Sequence, residues 1–321
     1  MIRLLPFFAL IAAPAAAQDC ADGQRPFDHA GGTTCIPDDP QRIIGLHDQS
    51  VTLALIEMGA PVVGSHGRLD DDGNPYMRSV DLIFGLDFES SDIAFIGAFD
   101  AMDFEAIAAA QPDLIIGRAF FDIETRAQYE ALAPAVFIEN DPKDQLAFSR
   151  GVADAAGALD RWEDMHATYR ANVDRARAAF PQADGATYGK IQMHDGQLQV
   201  YAGYGGLTMV LGDLGFQRIP VAQEMANRGV VWGEEVSLEI LPQVEADYLF
   251  DTYTIAYGDT LSDPRARFDA ALPSWCDALT ACAEGRYIVL PREMSTDYSF
   301  RQLDMLLHLV TTHVARVPAP S

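Results

Sequence analysis

The sequence lacks a hydrophobic run long enough to cross a membrane, and its one clear apolar run lies at its start. Residues 4–13 are apolar, about half of the ~20 residues that a membrane-spanning helix needs, which argues against an anchor. Arg3 precedes this run and three alanines at positions 15–17 follow it, as in a secretory signal with its cleavage site. We therefore predict a signal peptide over residues 1–17.

The residues before the first cysteine do not match the lipid-attachment motif of a lipoprotein. A lipoprotein carries small, apolar residues there, whereas Ala17-Gln18-Asp19 precede Cys20. We expect Gln18 to be the first mature residue and the mature protein to be soluble and exported.

Basic residues are scarce. The chain has 22 Lys and Arg against 47 Asp and Glu, and without residues 1–17 it keeps 21 against 47, a net charge of −26. Such a charge argues against binding to nucleic acids or to anionic membranes. A net negative charge also increases solubility in salty surroundings, and it leaves room for a local basic pocket.

Cysteines are few and even in number: Cys20, Cys35, Cys276 and Cys282. There is no C-x-x-C motif or Cys/His cluster to favour a metal site, so in an oxidising compartment we expect disulfides. Three pairings are possible, and proximity in the sequence favours Cys20–Cys35 and Cys276–Cys282.

Motifs of hydrolytic enzymes are absent as well. The sequence contains neither G-x-S-x-G nor H-E-x-x-H, and no Ser/His/Asp order is suggested. We therefore predict that the protein is not an enzyme.

Short apolar strands alternate with helices on both sides of one long helical stretch. Residues 143–180 show no strand pattern, and their apolar positions recur at helical spacing. We predict an α/β fold of two similar three-layer lobes with mainly parallel sheets, joined by one long helix. The predicted boundaries are 18–158 for the N-terminal lobe, 159–181 for the helix and 182–321 for the C-terminal lobe.

One sequence unit occurs twice. In FEAIAAAQPDLIIG and LEILPQVEADYLFD, Glu105 aligns with Glu239 and Asp113 with Asp247. Each Glu opens a helix-like run and each Asp precedes a strand-like run. Asp103 and Ser237 are the expected helix N-caps, which puts each Glu in a first turn, where it would also complement the helix dipole.

RIIGL, LALIEMGAPVVG, FEAIAAAQPDLIIG and WGEEVSLEIL resemble the periplasmic iron-siderophore and cobalamin binding proteins of ABC importers. The resemblance covers most of residues 36–316. It implies two lobes joined by a single helix, a ligand in the cleft between them, and a periplasmic protein that we expect to be a monomer. It also implies that Glu105 and Glu239 dock against arginines of a dimeric permease in the inner membrane.

Candidate ligand residues follow from the carboxyl ends of the strands, where ligands bind in open α/β sheets. We take PVVG, DLIIG, LQVYAG, VVW and DYLFD as strands that lead to such residues. The candidates are Trp232, Arg118, Arg68, His66, Tyr204, Tyr201, Tyr253, Phe121 and Arg228. Aromatic and basic side chains suit a bulky, partly apolar chelate such as an Fe(III)–siderophore. Trp232 also lies in a run that resembles hydroxamate-siderophore binders. Ordinary core packing of Tyr201 and Phe121, and solvated positions for Arg68 and Arg228, are the alternatives.

The chemical class of the ligand stays open. The hydroxamate binders that this sequence resembles have an arginine and a tyrosine at the places of Phe99 and Phe121, and arginines would suit a citrate-type chelate. Haem and cobalamin are further candidates. Direct Zn or Mn binding is less favoured, because the sequence has no His-rich loop and no histidine of the second half is an obvious partner for His47 and His66. We predict no cofactor, and a sensory role instead of transport is also open.

Overall fold

The computed structural model describes residues 20–98, 101–141, 144–318 and 320, with the side chain of Phe121 excepted. The predicted signal peptide and Phe99 lie outside this part of the chain. The chain begins with a disulfide-bonded hairpin of β1 (Gln24–His29) and β2 (Gly32–Pro37). Both predicted disulfides, Cys20–Cys35 and Cys276–Cys282, are confirmed.

The N-terminal lobe contains a mainly parallel sheet in the order β7-β6-β4-β3-β8-β9, with β5 beside β4. Only β5 and β7 are antiparallel to their neighbours. Its strands are β3 (Ile43–Gly45), β4 (Val62–Leu69), β5 (Pro75–Tyr76), β6 (Ala94–Ala98), β7 (Ala101–Met102), β8 (Leu114–Arg118) and β9 (Ala135–Ile138).

The C-terminal lobe has the order β13-β11-β10-β14-β15, with β12 beside β10. Its strands are β10 (Thr187–His194), β11 (Gln197–Tyr201), β12 (Gln217–Arg218), β13 (Gly233–Val236), β14 (Tyr248–Tyr253) and β15 (Tyr287–Pro291). The first half of β10 pairs in parallel with β12 and β14, and its second half pairs antiparallel with β11. Tyr201, at the end of β11, therefore returns to the point where β10 changes partners.

Helices cover the sheets and join the lobes. The α-helices are α1 (Leu53–Glu57), α2 (Val80–Phe84), α3 (Phe104–Ala109), α4 (Ala119–Asp122), α5 (Arg126–Glu130), α6 (Ala147–Ala155), α7 (Leu159–Ala179), α8 (Gly205–Leu214), α9 (Pro220–Asn227), α10 (Asp263–Ala271), α11 (Thr280–Ala283) and α12 (Phe300–Arg316). The predicted long helix is α7, whose 21 residues give a length of about 30 Å. The predicted fold class is confirmed. Within the described residues, no helix is both long enough and apolar enough to cross a bilayer.

Two helical segments depart from the α-helical form. The chain forms a π-helical turn (Asp48–Thr52) directly before α1. The helix of the second unit is a 3-10 helix (Leu238–Val244) that contains Pro242. Proline lacks the N–H that an α-helix would use there and its ring clashes with the preceding turn.

The two lobes share one hydrophobic core. Trp162 and Tyr169 of α7 and Leu303 of α12 belong to a buried cluster that also contains residues from the sheets of both lobes. Glu57 of α1 accepts the backbone N–H groups of Phe300 and Arg301, at 2.9 and 2.6 Å, and so binds the first turn of α12. The lobes are therefore joined by packing as well as by α7.

The aspartates of the repeated unit have the same structural role in both lobes. Asp113 accepts the N–H groups of Gln41 and Arg42, just before β3, at 2.7 and 2.9 Å. Asp247 accepts the N–H and hydroxyl of Thr187, the first residue of β10, at 2.6 and 2.8 Å. In each lobe the Asp therefore ties the start of one strand to the start of its parallel neighbour.

Asp247→Ala should lower the free energy of unfolding by about 1–3 kcal/mol, because it leaves the partly buried donors of Thr187 without their acceptor. Asp113→Ala should lower it by about 0.5–1.5 kcal/mol, because the N–H groups of Gln41 and Arg42 are exposed and water can replace the lost acceptor. Urea unfolding measures the effect. Asp71→Ala, at an exposed loop position, is the control and should change stability by less than about 0.5 kcal/mol. Losses no larger than that of the control would show that the two carboxylates do not hold the strands in register.

Candidate ligand-binding cleft

The segment Arg292–Asp297, which we call the floor segment, follows the carboxyl end of β15 and contacts both lobes. From the N-terminal lobe, the Gln49 side-chain amide donates to Asp297 Oδ2 at 2.9 Å. Ser79 Oγ donates to the carbonyl oxygen of Glu293 at 3.0 Å. Both donors are buried. The floor segment is therefore the place where the two lobes meet below the cleft.

The C-terminal lobe holds the floor segment from the other side. The Glu293 carboxylate accepts the N–H groups of Ile255 and Ala256 at 3.2 and 3.1 Å. Gly205 has a φ of +52° and packs so closely that a Cβ there would clash with the carbonyl oxygen of Thr296. Only glycine meets both requirements. The floor segment is thus fixed by side-chain and backbone contacts at once.

Asp48 is the centre of the polar wall in the N-terminal lobe. It is fully buried and accepts the N–H groups of Gln49 and Arg78 and the Nε–H of Arg68, at 2.9, 3.0 and 3.2 Å. Burial alone would raise the pKa of Asp48, but its contact with His66 and the charge of Arg68 contribute to a larger opposite effect and the pKa falls to about 2. Asp48 is therefore ionised at neutral pH and partly neutralises Arg68.

His47 and His66 stack on one another beside Asp48, with ring centroids 5.6 Å apart. Burial, followed by the charge of Arg118, lowers the pKa of His47 well below 6.5, so His47 is neutral. Although two imidazoles and a carboxylate meet here, no group of three or more His, Cys, Asp or Glu in the described part of the chain is arranged to hold a metal ion.

Arg118 is the last residue of β8 and lies next to this wall. Burial lowers its pKa to about 10, against the opposing charge of Asp122, so it remains a cation at neutral pH. Its backbone N–H donates to Asp122 Oδ2 at 2.7 Å.

Trp232 dominates the wall of the C-terminal lobe. It is 40% exposed, and its ring stacks on buried Tyr204 at 4.8 Å and 25°. Tyr201 meets it edge-on at 5.9 Å. The Trp232 carbonyl accepts the N–H groups of Ala202 and Gly203 at 2.8 and 2.9 Å. Backbone and ring contacts together therefore fix the indole with part of its surface open.

A buried cation, Lys190, packs against the two tyrosines that contact Trp232. Lys190 Nζ lies 4.4 Å from the ring centroid of Tyr204 and 4.6 Å from that of Tyr201, both within cation–π range. It pairs with Asp251 at 3.2 Å, and Asp251 also accepts the hydroxyl of Tyr287 at 2.6 Å. Burial lowers the pKa of Lys190 to about 8, even though the charge of Asp251 opposes this.

The remaining predicted ligand residues occupy different positions. Tyr253 ends β14 and is half-buried. Arg228 lies outside this group and is paired with Glu234 at 2.7 Å on the surface. His66 and Arg68 lie within β4, which is longer than the expected PVVG. Trp232 was expected to end a strand but precedes β13, because pairing with β11 begins only at Gly233.

Several site residues were missed by sequence reasoning: Arg78, Lys190, Arg292 and Asp297. Arg292 directly follows YIVLP, the sequence of β15, so the strand-end rule that selected the other candidates could have found it. Nothing in the sequence indicated Lys190.

Exposed apolar side chains concentrate around the cleft. Among the described residues, most of the large apolar side chains that are exposed lie on segments beside the ends of strands: Leu69, Phe120, Val231, Trp232, Ile255 and Tyr257. Tyr257 also reaches the other lobe, since its hydroxyl accepts from Arg78 at 3.1 Å. Exposed apolar side chains that gather at one end of the sheets are typical of a binding surface.

Glu105 and Glu239 are both exposed in first turns. The side chains of Asp103 and Ser237 accept their backbone N–H groups, which confirms the predicted N-caps. Each helix leads back to the amino end of the next parallel strand, so each Glu lies at the carboxyl-end side of its sheet, where the cleft opens.

Raising the pH through about 8 should neutralise Lys190, which is protonated below this value and neutral above it. The fluorescence of Trp232, taken as the difference between wild type and Trp232→Phe, should change with a midpoint near pH 8 because the charge beneath Tyr204 disappears. In Lys190→Met the same difference should be flat between pH 7 and 9. A transition that persists in that variant would assign the titration to another group.

Curated proteins with detectable similarity are siderophore binders by name. The chain is 26% identical over 233 residues to the probable siderophore-binding lipoprotein YfiY of Bacillus subtilis, covering 70% of this chain and 68% of YfiY. It is 26% identical over 227 residues to the iron(3+)-hydroxamate-binding protein FhuD of the same organism, covering 68% of this chain and 66% of FhuD.

The fold is that of a solved binding protein. Staphylococcus aureus SirA, complexed with staphyloferrin B, superposes with a TM-score of 0.73 at 19% identity, covering 92% of this chain and 99% of SirA. A family model described as periplasmic binding protein matches residues 76–266. The family resemblance drawn from the sequence is thereby confirmed, and the chain belongs to the periplasmic binding protein family.

Proposed function

We propose that this protein captures a ferric siderophore in the cleft between its lobes and delivers it to an ABC-type permease. The observation that carries the proposal is the half-exposed indole of Trp232, held on Tyr204 above a buried cation, in a cleft whose other lobe supplies Arg68 and Arg118. Such a surface offers stacking to an apolar part of a chelate and charge pairing to its anionic groups. Tyr201, Tyr204 and Lys190 hold the indole, while Tyr253, His66 and the floor segment complete the site.

The relatives support a chelate rather than a bare metal ion as cargo. YfiY and FhuD are named for siderophore and iron(3+)-hydroxamate binding, and SirA holds staphyloferrin B. A bare divalent ion would instead require converging protein ligands. His47, His66 and Asp48 do not form such a set in the described part of the chain.

Cys20 bears on how the protein is retained outside the cytoplasm. YfiY is named a lipoprotein, and a lipid would be attached through a cysteine sulfur near the mature N-terminus. Here the sulfur of Cys20 is bonded to Cys35. The disulfide supports a soluble periplasmic protein, released from its signal peptide after residue 17.

Trp232→Ala should weaken binding of the cognate Fe(III)–siderophore by about 1–3 kcal/mol, because the stacking surface is lost. It should also remove most ligand-dependent quenching, since Trp162 and Trp275 are buried elsewhere. Fluorescence titration against a panel of ferric hydroxamate, catecholate and citrate-type chelates, with haemin and cobalamin included, measures both effects.

Trp162→Phe is the matched control and should keep both affinity and quenching. Wild-type protein that responds to Zn(II) or Mn(II) salts and to no chelate would overturn the proposed cargo. Unchanged affinity in folded Trp232→Ala would move the pocket elsewhere.

Glu105→Ala/Glu239→Ala should bind its cargo normally and fail to deliver it. Each exposed Glu is proposed to pair with a permease arginine, and losing a desolvated interfacial pair costs about 2–5 kcal/mol. In vesicles that contain the cognate permease, the variant should lose most uptake and most ligand-stimulated ATPase activity.

Glu130→Ala/Glu224→Ala removes the same charge from two exposed positions outside the repeated units and should transport normally. Normal uptake by the Glu105/Glu239 variant would leave both residues as helix-end charges without a docking role.

A further inference from the structure

Arg292 begins the floor segment and is only half-buried. Burial lowers the pKa of Lys190 and raises the pKa of Tyr201 and of Tyr204, and the nearby charge of Arg292 adds to the first effect and opposes the other two. Arg292 therefore lies beside the aromatic group that carries Trp232, on the C-terminal side of the cleft.

The guanidinium of Arg292 has no hydrogen bond or ion pair with any side chain or backbone group in the described part of the chain. The buried acids around it are engaged by other donors. Asp251 is held by Lys190 and Tyr287, and Glu293 by the backbone of the 3-10 helix Ile255–Tyr257. Asp297 is held by Gln49. None of these carboxylates lies within 4 Å of the Arg292 guanidinium.

The acids near Arg292 leave its guanidinium without a partner of its own. Lys190 and Arg292 bring two positive charges to one corner of the cleft, where Asp251 is paired with Lys190 and the Glu293 carboxylate accepts backbone N–H groups. In a chain with 47 acidic and 22 basic residues, a carboxylate partner would be easy to supply. The absence of one leaves a partly desolvated guanidinium that an incoming anion would neutralise.

We propose that Arg292 binds a carboxylate of the cargo, and that the ligand of this cleft is an anionic, carboxylate-bearing ferric chelate rather than a neutral hydroxamate. This inference rests on the proposed function and specifies its substrate class. The planar guanidinium can donate two parallel hydrogen bonds to a carboxylate, which a neutral hydroxamate chelate cannot accept with a compensating charge. Trp232 stacks on Tyr204 next to this position and would contact the apolar part of the same molecule.

The test compares ferric dicitrate, which is anionic, with ferrichrome, a neutral ferric hydroxamate, by Trp fluorescence titration. Arg292→Gln should weaken binding of ferric dicitrate by about tenfold or more and that of ferrichrome by less than about threefold. Arg292→Lys should recover part of the loss, since it restores the charge without the planar fork. Arg161→Gln is the control, because Arg161 is an exposed arginine at the start of α7.

Each outcome has a distinct meaning. Wild-type protein that binds no chelate would overturn the proposed function and this inference together. Wild-type protein that binds only ferrichrome, or equal weakening of both chelates by Arg292→Gln with an unchanged melting temperature, would overturn the anion subsite and leave the proposed function in place. If Arg292→Gln does not fold, the comparison of Arg292→Lys with wild type decides, because loss of the fork alone should still reduce the preference for ferric dicitrate.

Discussion

The hydrogen bond from Gln49 to Asp297 joins the two lobes at the bottom of the cleft, and the geometry of the site depends on it. Burial, followed by the charge of Asp48, raises the pKa of Asp297 to about 7. The amide of Gln49 can donate to the acceptor oxygen of Asp297 whether or not the carboxyl group is ionised. The hydrogen bond from Gln49 therefore persists whether Asp297 is ionised or protonated. Arg68 and Arg78 gather near these two carboxylates, which is why a basic wall can form in a strongly acidic protein.

Further contacts hold the floor segment in place. Ser79 and the Glu293 carboxylate fix it from opposite lobes, and the close approach of Gly205 leaves little room for displacement. Because α7 and α12 share one core with both sheets, the lobes behave as parts of one packed body at their base. A cleft of this kind is largely preformed, so affinity arises from its lining more than from closure.

Local chemistry made much of the fold predictable. Asp103 and Ser237 were recognisable N-caps. The pair Asp195-Gly196 is typical of a hairpin turn, and both residues have positive φ, +48° and +74°. The disulfides followed from spacing in the sequence. The 3-10 form of Leu238–Val244 was foreseeable from Pro242 in hindsight, since proline disfavours an α-helix at that position.

The site was less predictable because tertiary contacts create it. Lys190 belongs to no recognisable motif, and its buried partner Asp251 lies 61 positions later in the chain. Tyr204 reads as a ligand-facing aromatic, yet it is fully buried beneath Trp232. The partner of Gln49 is 248 residues away. No periodicity or motif reports such pairings, whereas the strand-end rule did bring Arg118, Arg68 and Trp232 into consideration.

The most direct test of the account is the position of iron in crystals grown with a ferric chelate, read from its anomalous scattering. The account predicts one iron site in the cleft, coordinated by the chelator, with the chelate against Trp232 and the contact between Gln49 and Asp297 intact. Iron bound by His47 or His66 without a chelator, or iron outside the cleft, would contradict it.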